Sequence, residues 1–416
     1  MMQPIWSGLT TIATPALRWA LLLRARRGKE LLARLPERRG LASLPRPSGK
    51  LLWLHAASVG ETISLLPLLR ALPAHIHVLF TTGTVTSAAM IAERIPALGL
   101  ADRVIHQFAP LDAHRWVRRF LDHWRPDAVA FVESELWPNM IAQCAARGRP
   151  LMLLNGRMSE RSMRGWQRVP RFARRLIGAF DRIWAQSDVD AARFHKLGGR
   201  RVESPGNLKF CADPLPADAQ ALASLQAVLQ DPSRPIWLAA STHQGEEEII
   251  ARVHARVAVE FPDLLTIIVP RHPGRGGEIA ALLHAPQRSQ NAPPPDRGFW
   301  IADTMGELGL FYRLVRVVFV GKSLGATGGQ NPLEPARLGC AIAIGPATAN
   351  FTEAVALLRK AGGLAVVPDE AGLAAWVALM LREPDLAAAM GEAARTTLDQ
   401  KQALPARLAR ILADSC

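Results

Sequence analysis

From residue 50 onward the chain alternates short, continuous apolar runs with stretches of helical periodicity. In the first half the runs are LLWLHA (51–56), HVLFTT (77–82), DAVAFV (127–132), PLMLLN (150–155) and RIWAQS (182–187). In the second half they are PIWLAAS (235–241), LLTIIVP (264–270), VVFVG (317–321), CAIAIG (340–345) and GLAVVP (363–368). Apolar strands without polar alternation, separated by helices, predict parallel sheets covered on both faces. Two such series predict two doubly wound α/β domains. The alternation pauses in ESPGNLKFCADPLP, 203–216, where Pro and Gly crowd a nonperiodic stretch, and a boundary is expected there. The expected domains are 31–208 and 209–390, with 391–416 a C-terminal helix packing back towards the first.

The N-terminal pattern differs. Residues 5–23, IWSGLTTIATPALRWALLL, carry a single charge, Arg18, and Arg24, Arg26, Arg27 and Lys29 follow at once. The run is about as long as a bilayer is thick and predicts a membrane-anchoring helix within residues 1–30, the following chain lying on the cytoplasmic side. Arg18 and Pro15 weaken a clean span and leave open a helix lying in the membrane interface. The basic cluster follows the apolar run, the reverse of a cleavable signal peptide.

Composition fits this picture: 416 residues, 49% hydrophobic and 21% charged, suit two globular domains of roughly 200 residues each. Charge divides the chain unevenly. Residues 1–210 hold 32 Lys and Arg against 15 Asp and Glu, whereas 211–416 hold 18 against 21. A basic first half points to an anionic partner, such as a nucleic acid, a membrane surface or a phosphorylated substrate, or to an Arg-rich solvated surface. With one Tyr and no basic segment interleaved with aromatics, nucleic acid is disfavoured. Cys144, Cys211, Cys340 and Cys416 are scattered, fit a reducing compartment and give no zinc spacing.

In open parallel sheets ligands bind beyond the carboxyl ends of the strands, so the loops there are where chemistry is expected. After the first strand, SVGET places Glu61 in an opening helical turn. Such a carboxylate either complements the helix dipole or, kept ionised by it, serves as a general base, with Gly60 admitting substrate to the backbone. The next loop, VESELWPN, sets Glu133 and Glu135 beside Trp137, and NGRMSERS (155–162) is rich in groups suited to anions. In the second half a strand enters the Gly-rich loop of VFVGKSLGATGGQNPLEPARLG, whose amides are expected to attract phosphate. There Asn331 is the expected N-cap, with Pro332 at N1 and Glu334 at N3, a carboxylate that either caps or binds a ribose diol. Arg271 and Arg275 of PRHPGR are expected phosphate contacts. The P-loop, strict GxGxxG, HExxH and GxSxG signatures are absent, which disfavours P-loop NTPases, simple NAD enzymes, zincins and α/β-hydrolases. One DxD, Asp188-Val189-Asp190, reads as helix capping.

SVGET (58–62), ESELWPN (133–139), NGRMSERS (155–162), GNLKF (206–210), STHQGEE (241–247), VPRHPGR (269–275), DTMGEL (303–308) and GGQNPLEPA (328–336) resemble, in order, the motifs of the 3-deoxy-D-manno-octulosonic acid (Kdo) transferases. The resemblance implies the GT-B fold, two Rossmann-like domains facing a central cleft, acceptor binding in the first and nucleotide-sugar binding in the second. It implies transfer of Kdo from CMP-Kdo to a lipid A precursor at the bacterial inner membrane, without cofactor or metal. It implies Glu61 as proton acceptor, Glu133 and Lys209 as transition-state stabilisers, and CMP contacts at Pro270, Arg271, Met305, Gly306, Glu307, Asn331, Pro332, Leu333 and Glu334. Inner-membrane anionic lipids are the further expected partner. Two positions depart from the family pattern: Lys322 stands where a Gly is common, and Gln330 where a His is common. The rival readings are a GT-B enzyme using another nucleotide sugar and a basic membrane-bound binding protein without turnover.

Overall fold

The computed structural model describes residues 2–229, 234–325 and 328–416. The chain divides into two units, 1–212 with 402–416, and 213–401. The first division falls four residues beyond the boundary read from the sequence and the second eleven beyond it, because the expected single helix 391–416 is two: Pro384–Asp399 stays with the second unit and only Ala403–Ser415 returns to the first.

The first unit holds a seven-stranded parallel sheet of β1 (Lys50–Ala56), β2 (Ile76–Thr82), β3 (Val104–Phe108), β4 (Ala128–Val132), β5 (Leu151–Gly156), β6 (Arg182–Ala185) and β7 (Val202–Glu203). Their spatial order is β3-β2-β1-β4-β5-β6-β7. In β1, Leu52 and Leu54 face one layer, with Leu65, Leu68 and Leu69 of the helix Val59–Ala71. Leu51 and Trp53 face the other, with Val117, Phe120 and Trp124 of the helix His114–Trp124. Period-two geometry sends neighbours to opposite faces, and both faces are covered, which is why the strand reads as unbroken apolar sequence.

The second unit repeats the plan with β8 (Ile236–Thr242), β9 (Leu265–Pro270), β10 (Gly298–Ile301), β11 (Val317–Val320), β12 (Ala341–Ile344) and β13 (Leu364–Val366), ordered β10-β9-β8-β11-β12-β13. All pairings in both sheets are parallel. Strand order reverses beside β1 in one sheet and beside β8 in the other, opening a crevice at the carboxyl ends of those strands.

Three strands were not legible in the sequence: β3, β7 and β10. Each is an edge strand, short or half-exposed, so none needs a continuous apolar run.

The N-terminal apolar run does not form one helix. It is divided into the helices Met2–Ile12 and Thr14–Arg26, with Pro15 in the first turn of the second. Among the described residues no helix is long and apolar enough to cross a membrane, which corrects the expectation of a single spanning anchor. Leu21 packs with Leu35, Ala113 and Trp116 of the first unit, while Ile5, Leu9, Ile12, Trp19 and Leu22 stay exposed. At the other end of the chain, the helix Ala403–Ser415 lays Leu404, Leu408 and Leu412 into the layer under the helix Val59–Ala71.

Candidate active site

Glu61 lies where β1 gives way to the helix Val59–Ala71. Ser58 is the N-cap and its Oγ accepts from the Glu61 amide at 3.4 Å. The carboxylate turns back on the same corner: Oε1 accepts from Ser58 Oγ at 2.8 Å and Oε2 from the Ala57 amide at 2.7 Å. This reciprocal arrangement is close to a capping box, so the local structural role is real. It does not exhaust the residue. Burial pushes the Glu61 carboxyl above its usual range, against the lowering effect of the Ser58 hydrogen bond, and the charges of Glu133 and Glu135 add to the rise. A helix start alone would keep Glu61 ionised; here desolvation and two neighbouring acids oppose it. A carboxyl so perturbed at a strand end is a candidate for proton transfer.

Glu133 follows β4 directly and is held with φ of 57°, a left-handed conformation that costs a non-glycine residue on the order of 1–3 kcal/mol. Its amide donates to Leu154 O at 2.9 Å and its carbonyl accepts from the Arg157 amide at 3.2 Å, which ties the ends of β4 and β5 together. The buried carboxylate meets Lys209 Nζ at 2.5 Å. Lys209 reaches it because Asn155, also left-handed with φ of 52°, accepts the Leu208 amide on Oδ1 at 3.0 Å, and Asn207 accepts the Lys209 amide at 3.0 Å. The structure therefore unites Glu133 with Lys209, and Asn155 is a positioning residue that the sequence offered only as part of a polar loop.

Beside this corner lies a cavity of about 440 Å³, whose lining includes Leu17 and Leu21 from the N-terminal helices, Ala57 from the Glu61 loop, and Trp137. His55 and Glu135 face it, with Nε2 of the histidine 3.2 Å from Glu135 Oε2. Burial pushes Glu135 up, but its hydrogen bonds with His55 and Trp137 outweigh that and hold it below the usual carboxylate range. Asp112, on the same wall, accepts the Asn139 and Met140 amides and the Trp6 indole, and burial raises it to about 6. Neither His55 nor Asp112 stood out in the sequence; each acquires its setting from segments distant in the chain.

In the second unit the candidate residues gather at the carboxyl ends of β8, β9, β10 and β11. Pro270 closes β9, and the exposed Arg271 is anchored by its amide, which donates to Thr242 O at 3.0 Å. Burial raises Glu334, while Asn331 and the Arg271 charge pull it down, so Arg271 and the Asn331–Glu334 segment share one neighbourhood. The expected cap is displaced: the helix is Leu333–Arg337 with Pro332 at the N-cap. Asn331 instead accepts the Leu333 amide at 3.1 Å and donates to Glu334 Oε1 at 3.1 Å, a side-chain pair and no capping box. Following β10, Met305 is exposed and Gly306 has φ of 84°, while the Glu307 carboxylate is taken up by Arg288, with two contacts of 2.6 Å, and by Thr304. What that turn offers a ligand is its backbone.

Two further expectations are corrected. Arg275 is not available to a phosphate, because Glu247 holds its guanidinium at 2.8 and 3.2 Å and Glu278 at 3.3 Å. Nor does the first part of the Gly-rich loop present free amides. The buried Glu246 carboxylate accepts Lys322 N at 2.6 Å, Ser323 N at 2.8 Å and Leu324 N at 3.2 Å. Gly321 is required at this junction, since a Cβ would stand 2.7 Å from Ser241 O. Residues 326 and 327 of the loop lie outside the described residues. The DxD is capping, as read: Ser187 caps the helix Asp188–Lys196 and Asp190 accepts the Met158 amide at 2.8 Å. Among the described residues no three His, Cys, Asp or Glu side chains gather as a metal-ligand set.

Two parallel-sheet α/β units with polar groups collected at their strand ends define a fold of the GT-B glycosyltransferase type. A solved glycosyltransferase from Rickettsia africae has the same fold, with a TM-score of 0.58 at 13% identity, 89% of this chain and 99% of that one being covered. Residues 33–212 match the family model described as 3-deoxy-D-manno-octulosonic-acid transferase (kdotransferase). The chain is 34% identical over 385 residues to a 3-deoxy-D-manno-octulosonic acid transferase of Haemophilus influenzae, with 89% of this chain and 88% of that protein aligned. It is 33% identical over 402 residues to a probable mitochondrial 3-deoxy-D-manno-octulosonic acid transferase of Arabidopsis thaliana, with 92% and 88% aligned. The chain belongs to the Kdo transferase family and is a glycosyltransferase.

Proposed function

We propose that this enzyme transfers Kdo from CMP-Kdo to the 6′-hydroxyl of the tetraacylated lipid A precursor, lipid IVA, in lipopolysaccharide biosynthesis on the cytoplasmic side of the bacterial inner membrane. The observation that carries the reading is the Glu61 carboxylate, raised by burial and by Glu133 and Glu135, in the same strand-end cluster as the Glu133–Lys209 pair. A carboxylate oxygen accepts more than one hydrogen bond, so Glu61 can receive the acceptor hydroxyl while Ser58 and Ala57 hold it in place. It takes the hydroxyl proton as that oxygen attacks the anomeric carbon of Kdo; CMP leaves and the configuration inverts. Lys209, fixed by Glu133, counters negative charge on the departing phosphate or on the Kdo carboxylate. Pro270, Arg271, the Met305–Glu307 turn and Asn331–Glu334 hold the cytidine monophosphate part. The scheme needs no metal, since the leaving group is met by cations and amides. The exposed Ile5, Leu9, Ile12, Trp19 and Leu22, followed by Arg24, Arg26, Arg27 and Lys29, suit a helix pair lying in an anionic bilayer surface.

The test is incubation of detergent-purified protein with CMP-Kdo and lipid IVA, the lipid product being weighed by mass spectrometry. A mass gain of one or more Kdo units is expected, and the same spectrum counts them. Glu61→Gln is expected to bind CMP and lose most of the turnover; near wild-type turnover would remove Glu61 from the base role. An unchanged lipid beside an active control transferase would overturn the substrate assignment.

A further inference from the structure

The Gly-rich loop contains an unusual residue at its first turn. Lys322 has φ of 59°, at the position directly after Gly321 where β11 ends. A long side chain in this conformation is strained by on the order of 1–3 kcal/mol and persists only where surrounding contacts hold it. Here the holding contact is Glu246, whose Oε2 accepts both the Lys322 amide at 2.6 Å and the His243 amide at 3.0 Å. One carboxylate oxygen thus sets the backbones of residues 322 and 243 side by side, at the ends of the adjacent strands β11 and β8.

Around that carboxylate stand several basic side chains. His243 faces His272 with ring centroids 5.9 Å apart, and Arg271 sits at the end of β9, the next strand. Burial lowers the His243 pKa first, and the nearby Lys322 and His272 charges add to that, against the Ser241 carbonyl and the Glu246 charge, which raise it. Among the described residues neither the Lys322 ammonium nor the Arg271 guanidinium has a carboxylate within ion-pair distance, unlike Arg275 and Arg288, which are committed to Glu247 and Glu307. The Glu246 carboxylate that holds the Lys322 amide is spent on backbone amides.

We propose that Lys322 and His243 form a contact for an oxyanion of the donor, additional to the nucleotide contacts of Arg271 and Asn331–Glu334. The inference rests on the reading that the second unit binds CMP-Kdo. That donor carries two anions, the phosphate and the carboxylate of the sugar acid, and an ammonium carried on a backbone fixed at the strand ends stabilises either. Glycine would relieve the backbone strain at residue 322 but would bring no charge to the strand ends.

The experiment is Lys322→Gly, a change that suits the left-handed backbone and is expected to leave the thermal midpoint no lower than that of wild type. Affinity for CMP is read by calorimetry and KM for CMP-Kdo by turnover. Loss of a charged hydrogen bond is expected to weaken binding about tenfold or more. Weakening of both CMP and CMP-Kdo assigns the contact to the phosphate; weakening of CMP-Kdo alone assigns it to the sugar carboxylate. Lys322→Arg is expected to restore most of the loss. Unchanged affinity and KM in Lys322→Gly would overturn the proposal while leaving the donor reading intact. A wild-type protein that binds neither CMP nor CMP-Kdo would overturn the donor reading itself.

Discussion

Ser58 governs how readily Glu61 ionises. Its hydroxyl donates to the carboxylate and opposes the rise that burial imposes. On the proposed base role Glu61 works ionised, so activity is expected to fall as pH drops through its pKa, and the upward shift places that loss above the range of a free glutamate. Ser58→Ala removes the lowering contact and is expected to move the acid limb of kcat/KM to higher pH, with about 1 kcal/mol of stability lost with the cap. A limb that stays in place would show that Glu61 does not titrate in the rate. The stability contribution has its own sign. A carboxyl raised by burial favours the fold most when protonated, and that contribution is lost as pH rises through the folded pKa. The helix start at Glu61 was legible from S-V-G-E alone. Its raised pKa was not, because Glu133 and Glu135 come from a loop about seventy residues away.

The functional elements are strand ends fastened by buried acids. Glu246 accepts four backbone amides, those of His243, Lys322, Ser323 and Leu324. Glu246→Gln turns one accepting oxygen into a donor facing N–H groups and is expected to cost about 1–3 kcal/mol, read by denaturant unfolding, together with weaker CMP binding. Unaltered CMP affinity in a folded variant would mean that the loop conformation is immaterial to the nucleotide. The Gly-rich loop looked in the sequence like a cradle of free amides; that Glu246 fills part of it follows from pairing β8 with β11, which no local pattern encodes. Interior strands were legible because both faces are buried. Of the edge strands, β13 was legible, whereas β3, β7 and β10, paired as strands on one flank only and partly exposed, carry polar residues that break the apolar run.

For the whole molecule, the decisive feature is where its two ends go. The helix Ala403–Ser415 belongs to the first unit, and Leu412, fully buried with Leu408 beneath the helix Val59–Ala71, couples this segment to the element that carries Glu61. Leu412→Ala is expected to cost about 2–5 kcal/mol, measured by denaturant unfolding. A smaller loss would mean that the end packs loosely. At the other end, two short helices with exposed Trp6, Ile12 and Trp19 fit an interfacial attachment. Alkaline carbonate is then expected to release the protein from membranes. Retention in the pellet, as for an integral protein, would overturn attachment at the surface.

Hydrophobic periodicity by itself determined two parallel α/β sheets, the approximate place where one series ends and the next begins, and the strand-end loops in which polar residues collect. Burial on both faces imprints a strand directly on its own sequence. Only the tertiary structure decided which of those polar residues face one another. It joined Lys209 to Glu133, withdrew Arg275 and Glu307 into internal ion pairs, left Arg271 and Lys322 without carboxylate partners among the described residues, and broke the N-terminal apolar run into two helices. Charges and hydrogen bonds act over a few ångströms in space, and strand order in a parallel sheet, unlike strand existence, is not written in local sequence.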